Sequence, residues 1–396
     1  MFSKEDLQNT QQAISQFQLD GWLLYDFRRS NDLACRFLAI PDNQLLTRRF
    51  FYWIPRQGEP VKIVHGIEEK VLDHLPGRKL LYNSWQGLEE RLADTLKICK
   101  RVAMEYSPRN AIPYVSKVDA GTIDVVRDFG ITVVSSADLL QKCISVWDSY
   151  KLQTHLAAAK TLCSIVDKAW ALIAQRVKQG KTITEYDVQE FILEEFTKEN
   201  CITSDSPICA VNAHSANPHY CAEKKQAETI KKGDLILIDL WCKQDLPKAV
   251  YADITRMGIA AKAPTPRQQE IFDIVKQARD AATELVKQRF TQGLPLMGCE
   301  VDQCCRDHII DAGYGPYFIH RTGHNIDETD HGNGANIDNL ETQDSRMLLA
   351  GTCFSIEPGI YLPGEFGIRL EYDVYVHHNG QIQITGGIQE AITCLL

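Results

Sequence analysis

AVYADITRMGIA, residues 249–260, reads as a buried strand with an acid at its centre, Asp253. A strand that faces a core carries no carboxylate there, because an isolated buried charge is very costly unless it is paired or bound to a metal. Three more segments break the same rule. Asp239 lies inside DLILIDLW (234–241), Glu357 inside TCFSIEPGIYL (352–362) and Glu371 inside FGIRLEYDVYVH (366–377). Any one of them has an ordinary explanation, a solvated strand face or a pair with Arg256 or Arg369. Four in strand-like segments of one region point to a shared centre. Like charges about 4 Å apart repel by roughly 4 kcal/mol per pair at an effective dielectric of 20. Two divalent cations would cancel four carboxylates, and a two-metal centre suits hydrolysis, since it lowers the pKa of a bridging water and polarises a carbonyl.

Histidines enter through HRTGHNIDETDHGNGANIDN, residues 320–339, which holds His320, His324 and His331. A pair four residues apart suits a metal on a helix face. Gly323, Gly332, Gly334 and the run of Asn and Asp favour turns instead. These histidines therefore meet partners from elsewhere in the chain. Oxygen ligands with one imidazole suit manganese, iron, cobalt or zinc.

The rest of the chain bounds the answer. At 396 residues it exceeds one ordinary core, and two or three domains are expected. Apolar content of 44% and charged content of 24% are those of a folded globular protein. The formal charge is −9 and no block of Lys and Arg marks a surface for nucleic acid. The N-terminus shows no secretory signal and no apolar run approaches a bilayer span, so a cytoplasmic protein without membrane contact is expected. Thirteen cysteines, an odd number without a C-x-x-C pair, fit reduced thiols.

Short apolar runs at 20–27, 48–55, 59–66, 78–83, 100–107 and 131–136 predict an N-terminal α/β layer. None is followed by a Gly-rich phosphate loop. Near Trp147 the pattern changes to long helices: an amphipathic one over 149–178, one opened by Thr184 and Asp187, one from Thr265 and Pro266 to about Phe290, and one from about Glu300 to Ala312. Together with the strands they predict an α+β chain, with an N-terminal α/β domain over 1–148 and a second domain over 149–396 made of a curved, mostly antiparallel sheet covered by helices.

The order of D-L (239–240), Y-x-D-I-T-R (251–256), H-R-T-G-H (320–324), S-I-E-P-G-I-Y (355–361) and I-R-L-E (368–371) resembles the pita-bread metallopeptidases, most of all the Xaa-Pro branch with prolidase and aminopeptidase P. N-A-H-S-A-N-P-H-Y (212–220) is similar to that branch's Asn-rich stretch, and DGWLLYDFRRSNDL (20–33) to its creatinase/prolidase-type N-terminal domain. The resemblance implies Asp239, Asp253, His324, Glu357 and Glu371 as ligands of two divalent ions, manganese first, with cobalt, zinc or iron as alternatives. Asp253 and Glu371 would bridge the ions, and Glu357 would take a proton from the attacking water. His219, His320 and His331 would orient the peptide and stabilise the tetrahedral intermediate, from substrate contact or from behind the ligands. Arg369 would hold ligand carboxylates in place.

The implied activity is hydrolysis of Xaa-Pro bonds at the N-terminus of dipeptides or short peptides, by a homodimer. Alternatives are a same-fold hydrolase or lyase with a non-peptide substrate, and a catalytically silent binding protein. The chain departs from the family pattern at Asn325, where glycine is usual, at Gly332, where an acid is usual, and in a 239–253 loop lengthened by WCKQDLPKAV (241–250). All three are expected to alter the walls around the metals. His308 reads as a core histidine on the 300–312 helix, and His377 and His378 as residues flanking the Asn379-Gly380 turn. His214 reads as a loop residue. Cys209, Cys221 and Cys242 read as small buried side chains, and Asn333, Asn336, Asp338 and Asn339 as turn caps or pocket lining.

Overall fold

A computed structural model describes residues 3–396. The chain divides into two compact units, one running to Ile144 and the other from Ser145 to Leu396. Among the described residues no helix is long and apolar enough to cross a membrane.

The first unit is built on a six-stranded mixed sheet. Its order is Arg78–Tyr82, Val61–His65, Phe50–Pro55, Gly21–Asp26, Arg101–Met104 and Thr132–Ser135, each a segment that the apolar runs marked. Gly21–Asp26 is buried along its whole length because both sheet faces are covered. Trp22, Leu24, Tyr52 and Ile54 pack into a core with Ala13 and Ile14 of the Lys4–Gln16 helix. Leu23, Tyr25, Phe51 and Trp53 pack on the other side with Leu88 and Leu92 of Trp85–Leu96.

In the second unit the long helix Ser149–Lys178 starts at an Asp148 N-cap, where the sequence texture changes. Glu185–Lys198 and Pro266–Thr291 begin with the capping boxes read at Thr184 and Thr265. Gly298–Asp311 follows. These helices cover a curved arrangement of mostly antiparallel strands. Leu235–Gln244 pairs with Ala252–Ile259, with Cys201–Ile202 and with Ile208–Val211. Asn325–Ile326, Cys353–Ile356, Tyr372–Val376 and Ile382–Thr385 form a four-stranded sheet, and Gly359–Leu362 pairs with Phe366–Arg369.

Strand alternation decides where the acids point. Ile236, Ile238, Leu240, Cys242, Ala252 and Ile254 enter the core formed with Ser149–Lys178, whereas Leu235, Leu237, Met257 and Ile259 enter the core shared with Pro266–Thr291. Asp239, Asp253 and Thr255 continue the odd-numbered series, so they share the second face.

Some expectations are corrected. His308 is exposed: Val301, Cys305 and Ile309 form the buried stripe, and His308 falls just beyond its edge, its Nδ1 on the carbonyl of Cys304 at 3.1 Å. Cys221 is exposed, unlike the buried Cys209 and Cys242, because it lies in an irregular segment outside the strands. Residues 241–244 of the expected loop extend the strand instead, with Cys242 opposite Ala252 and Cys201 opposite Gln244.

Candidate metal centre

Register brings the acids together. Thr255 lies opposite Asp239 on the neighbouring strand, and Asp253 is two residues from Thr255 on the same face. In the four-stranded sheet Ile356 pairs with Tyr372, which places Glu357 and Glu371 side by side just past the ladder. The backbone N–H of Asp253 donates to Asp373 Oδ2 at 2.9 Å and stitches one sheet to the other. His324 reaches the cluster because Gly323 lets its segment press on the next strand. A Cβ at Gly323 would sit 2.0 Å from the carbonyl oxygen of Ser355.

All five sequence-predicted ligand positions meet here. His324 Nε2 is 3.7 Å from Asp253 Oδ2 and 3.4 Å from Glu357 Oε1. Its Nδ1 edge faces the carbonyl of Asn325 at 3.5 Å, which leaves Nε2 turned toward the carboxylates. Ligand atoms of Asp253, His324 and Glu371 lie within 4.8 Å of one another. Thr255 Oγ1 ties the remaining pieces, 2.7 Å from Glu371 Oε2 and 3.0 Å from Asp239 Oδ1, while accepting from Arg369 Nε at 3.0 Å. Arg369 Nη2 also grips Asp239 Oδ2.

The donor set fits divalent cations. Asp253 Oδ1 and Glu371 Oε1 are buried and have no hydrogen-bond donor, a costly condition for a carboxylate. Burial holds both groups well above the usual carboxylate range. Glu371, Asp330 and Asp239 push Asp253 further up, and Glu357 and Asp239 push Glu371. A cluster of oxygens with one imidazole is what manganese, cobalt, iron or zinc accepts.

The accessory residues sit at different depths. Both ring nitrogens of His320 are engaged by protein: Nδ1 donates to the Arg321 carbonyl at 2.7 Å, and Nε2 accepts from the Tyr361 hydroxyl at 2.7 Å. Tyr361 accepts in turn from Arg369 Nη1 at 3.0 Å. His331 is 62% exposed at the side chain and stands over His324 with ring centres 4.1 Å apart. His219 is exposed, and the neighbouring Pro218 carbonyl accepts from Arg369 at 3.4 Å. His214 is held by Glu185 at 3.0 Å, away from the ligand set.

The departures from the family pattern also find places. Asn325 is fully buried, its Nδ2 donating to the Cys353 carbonyl and its Oδ1 accepting from Gly334 N–H, both at 2.9 Å. Gly332 leaves it room: a Cβ there would lie 2.2 Å from Asn325 Oδ1. Lys243, from the lengthened segment, reaches the Glu328 carbonyl at 2.6 Å. Asp338 caps a turn by accepting from the N–H groups of Leu340, Glu341 and Thr342.

Sequence reasoning gave no role to Thr255, Tyr361, Asp373 or Asp330. Thr255 carried a usable signal, two residues beyond the predicted ligand Asp253 on the same strand, and Asp373 stands two residues beyond Glu371, which precedes its strand.

Fold and site together define a protein with a buried cluster of carboxylates and one imidazole whose donor atoms could hold a metal ion. A family model, metallopeptidase family M24, matches residues 157–378. The chain belongs to metallopeptidase family M24, with the pita-bread fold. It is 32% identical over 235 residues to an Xaa-Pro dipeptidase of Pyrococcus furiosus, covering 59% of this chain and 62% of that one. It is also 32% identical over 199 residues to an Xaa-Pro dipeptidase of Lactobacillus helveticus, covering 50% and 47%. The matches therefore span about half to two thirds of these relatives' length. In structure it is similar to dipeptidase PepE from Mycobacterium ulcerans, with a TM-score of 0.70 and 22% identity over 99% of this chain and 97% of that one.

Proposed function

We propose that this chain hydrolyses the Xaa-Pro bond at the N-terminus of dipeptides or short peptides, using two divalent metal ions. The carrying observation is the convergence of Asp239, Asp253, His324, Glu357 and Glu371 with orphaned oxygens on Asp253 and Glu371. Ions held by these five side chains would supply Lewis acidity toward the scissile carbonyl and bring a water molecule's pKa toward neutrality. The similarity to two Xaa-Pro dipeptidases supports the substrate class.

The chain's own residues divide the remaining work. Glu357 is the most open of three ligand carboxylates, 15% exposed at its side chain against 10% for Asp239 and 7% for Asp253. It is the acid best placed to take the proton of the attacking water, and Ser355 Oγ steadies its Oε1 from 3.1 Å. Arg369 and Thr255 fix Asp239 and Glu371, so the ligand oxygens need no rearrangement when substrate enters. His331, whose Nδ1 accepts from Arg321 at 3.3 Å, and the exposed His219 would orient the peptide at the mouth. An Xaa-Pro bond suits such a site because its imide nitrogen has no N–H, which general peptidases require.

Release of proline from Gly-Pro, Ala-Pro and Xaa-Pro-Yaa peptides with added manganese tests the reading. Activity on at least one is expected, and Asp253→Ala should abolish both activity and tight metal binding. A protein that binds metal stoichiometrically and cleaves none of these peptides would refute it and direct attention to non-peptide substrates.

A further inference from the structure

Asp330 stands outside the ligand positions and precedes His331 in an irregular turn. Its Oδ1 is enclosed by protein and has no hydrogen-bond donor. Its Oδ2 is 3.6 Å from His331 Nε2, too far for a hydrogen bond. Burial and the charges of Asp239, Glu357 and Asp205 disfavour its ionised form, Arg321 opposes them, and Asp330 acts on Asp253 in turn. The five ligands account for the orphaned oxygens of Asp253 and Glu371, yet Asp330 Oδ1 still lacks a partner. Asp373 Oδ1 is orphaned too, but that side chain is wholly buried behind the site. Asp330 keeps 17% of its side chain exposed and lies beside the exposed His331, so a ligand can reach its open edge.

We propose that Asp330 receives the N-terminal ammonium of the peptide and so confines cleavage to the first residue; this rests on the Xaa-Pro reading above. In such a substrate one Cα separates the amino nitrogen from the scissile carbonyl carbon, a span of about 2.5 Å. A group that captures the ammonium must therefore lie close to the groups that hold the reacting carbonyl, and Asp330 is joined to them through His331, 3.6 Å from its Oδ2, whose ring centre lies 4.1 Å from that of the proposed ligand His324. An ammonium brings three donors and a full charge, which is what an enclosed carboxylate oxygen without a donor lacks. Asp205, itself exposed, adds negative potential felt at Asp330.

The test compares ligands that differ only in the amine. KM and kcat are measured for Ala-Pro, together with inhibition by propionyl-proline, in manganese-loaded wild type and Asp330→Asn. KM for Ala-Pro should rise tenfold or more, with kcat within about threefold, propionyl-proline inhibition unchanged and metal content unchanged. Asp330→Glu should recover part of the loss, and Asp330→Ser replaces the Asn variant if its melting curve shows no folded state. Calorimetric titration with the phosphinic pseudodipeptide of Ala-Pro and its des-amino counterpart reads the same preference without turnover. An unchanged preference in the variants overturns the proposal, as does loss of metal, which would make Asp330 a ligand. If the wild type cleaves no Xaa-Pro peptide yet prefers the amine-bearing analogue through Asp330, the functional reading fails and the ammonium site stands.

Discussion

Asn325 replaces the glycine that the family pattern places after the ligand histidine, and its burial makes a quantitative test possible. Asn325→Ala would leave the Gly334 N–H and the Cys353 carbonyl without their partners at 2.9 Å. Each buried group left unmatched costs about 1–3 kcal/mol, so a loss of roughly 2–6 kcal/mol is expected for the two together, before any cavity cost. Gly332→Ala attacks the same contact from the other side. Its Cβ would fall 2.2 Å from Asn325 Oδ1, and Gly332 has no positive φ to confound the effect. Overpacking of this kind costs about 1–3 kcal/mol. The double variant removes the contact with Asn325 Oδ1 and leaves the 2.9 Å approach to Asp327 Cβ, so its cost should fall short of the sum of the singles by about 1–2 kcal/mol. Denaturant unfolding followed by hydrogen exchange within 322–338 measures all three on the unit that carries the site. Single effects that add within about 0.5 kcal/mol would show that Asn325 and Gly332 do not share one space, and the structural account of both departures would fall.

Thr255→Val should keep the fold but lower metal affinity 10- to 100-fold, measured by competition with a chelator, whereas Thr255→Ser should stay within a few-fold of wild type. Metal-free protein should lose stability as pH rises. Asp253 and Glu371 have folded pKa values raised above their unfolded ones, so their favourable contribution is complete below the unfolded values and is lost as pH climbs through the folded values. The gain in melting temperature on adding manganese should therefore grow from pH 5.5 to pH 8, and a gain that shrinks over that range would contradict the assignment. Tyr361→Phe cuts the link between His320 and Arg369 while removing no ligand. It should lower kcat/KM about tenfold, the order expected for losing a hydrogen bond to a charged group, with metal stoichiometry unchanged.

The four acids of the centre were legible because each lies inside an apolar run of the sequence that reads as strand, and a strand's period of two makes such an acid conspicuous. Helix starts at Thr184 and Thr265 were legible for a local reason as well, since a capping box is closed within four residues. Asp330 gave no such signal. It stands among Asp327, Glu328, Asn333 and other polar residues of a turn, and only the folded arrangement shows that one of its oxygens lost water without gaining a donor. His308 was misread because a stripe of Val301, Cys305 and Ile309 is narrow, so a residue one step off it already faces solvent. Asn325 and Gly332 looked like two separate departures from a pattern. Their relation is a matter of volume, which sequence spacing does not carry.

The four-residue step between His320 and His324 shows how one short segment supplies two kinds of group. His324 offers Nε2 to the carboxylates, and Ser355 Oγ holds its backbone N–H at 3.0 Å. His320 faces the other way, a neutral imidazole whose acceptor nitrogen fixes the Tyr361 hydroxyl, which then accepts from Arg369. Burial drives the His320 pKa down to about 3, with Arg369 adding to the effect, so the ring remains an acceptor at every working pH. A protonated ring would turn the Tyr361 hydroxyl around and set two donors against each other beside Arg369. Keeping His320 neutral therefore keeps the Tyr361 hydroxyl turned to accept from Arg369, and the cation that holds Asp239 is steadied through Tyr361 from a ring on its far side.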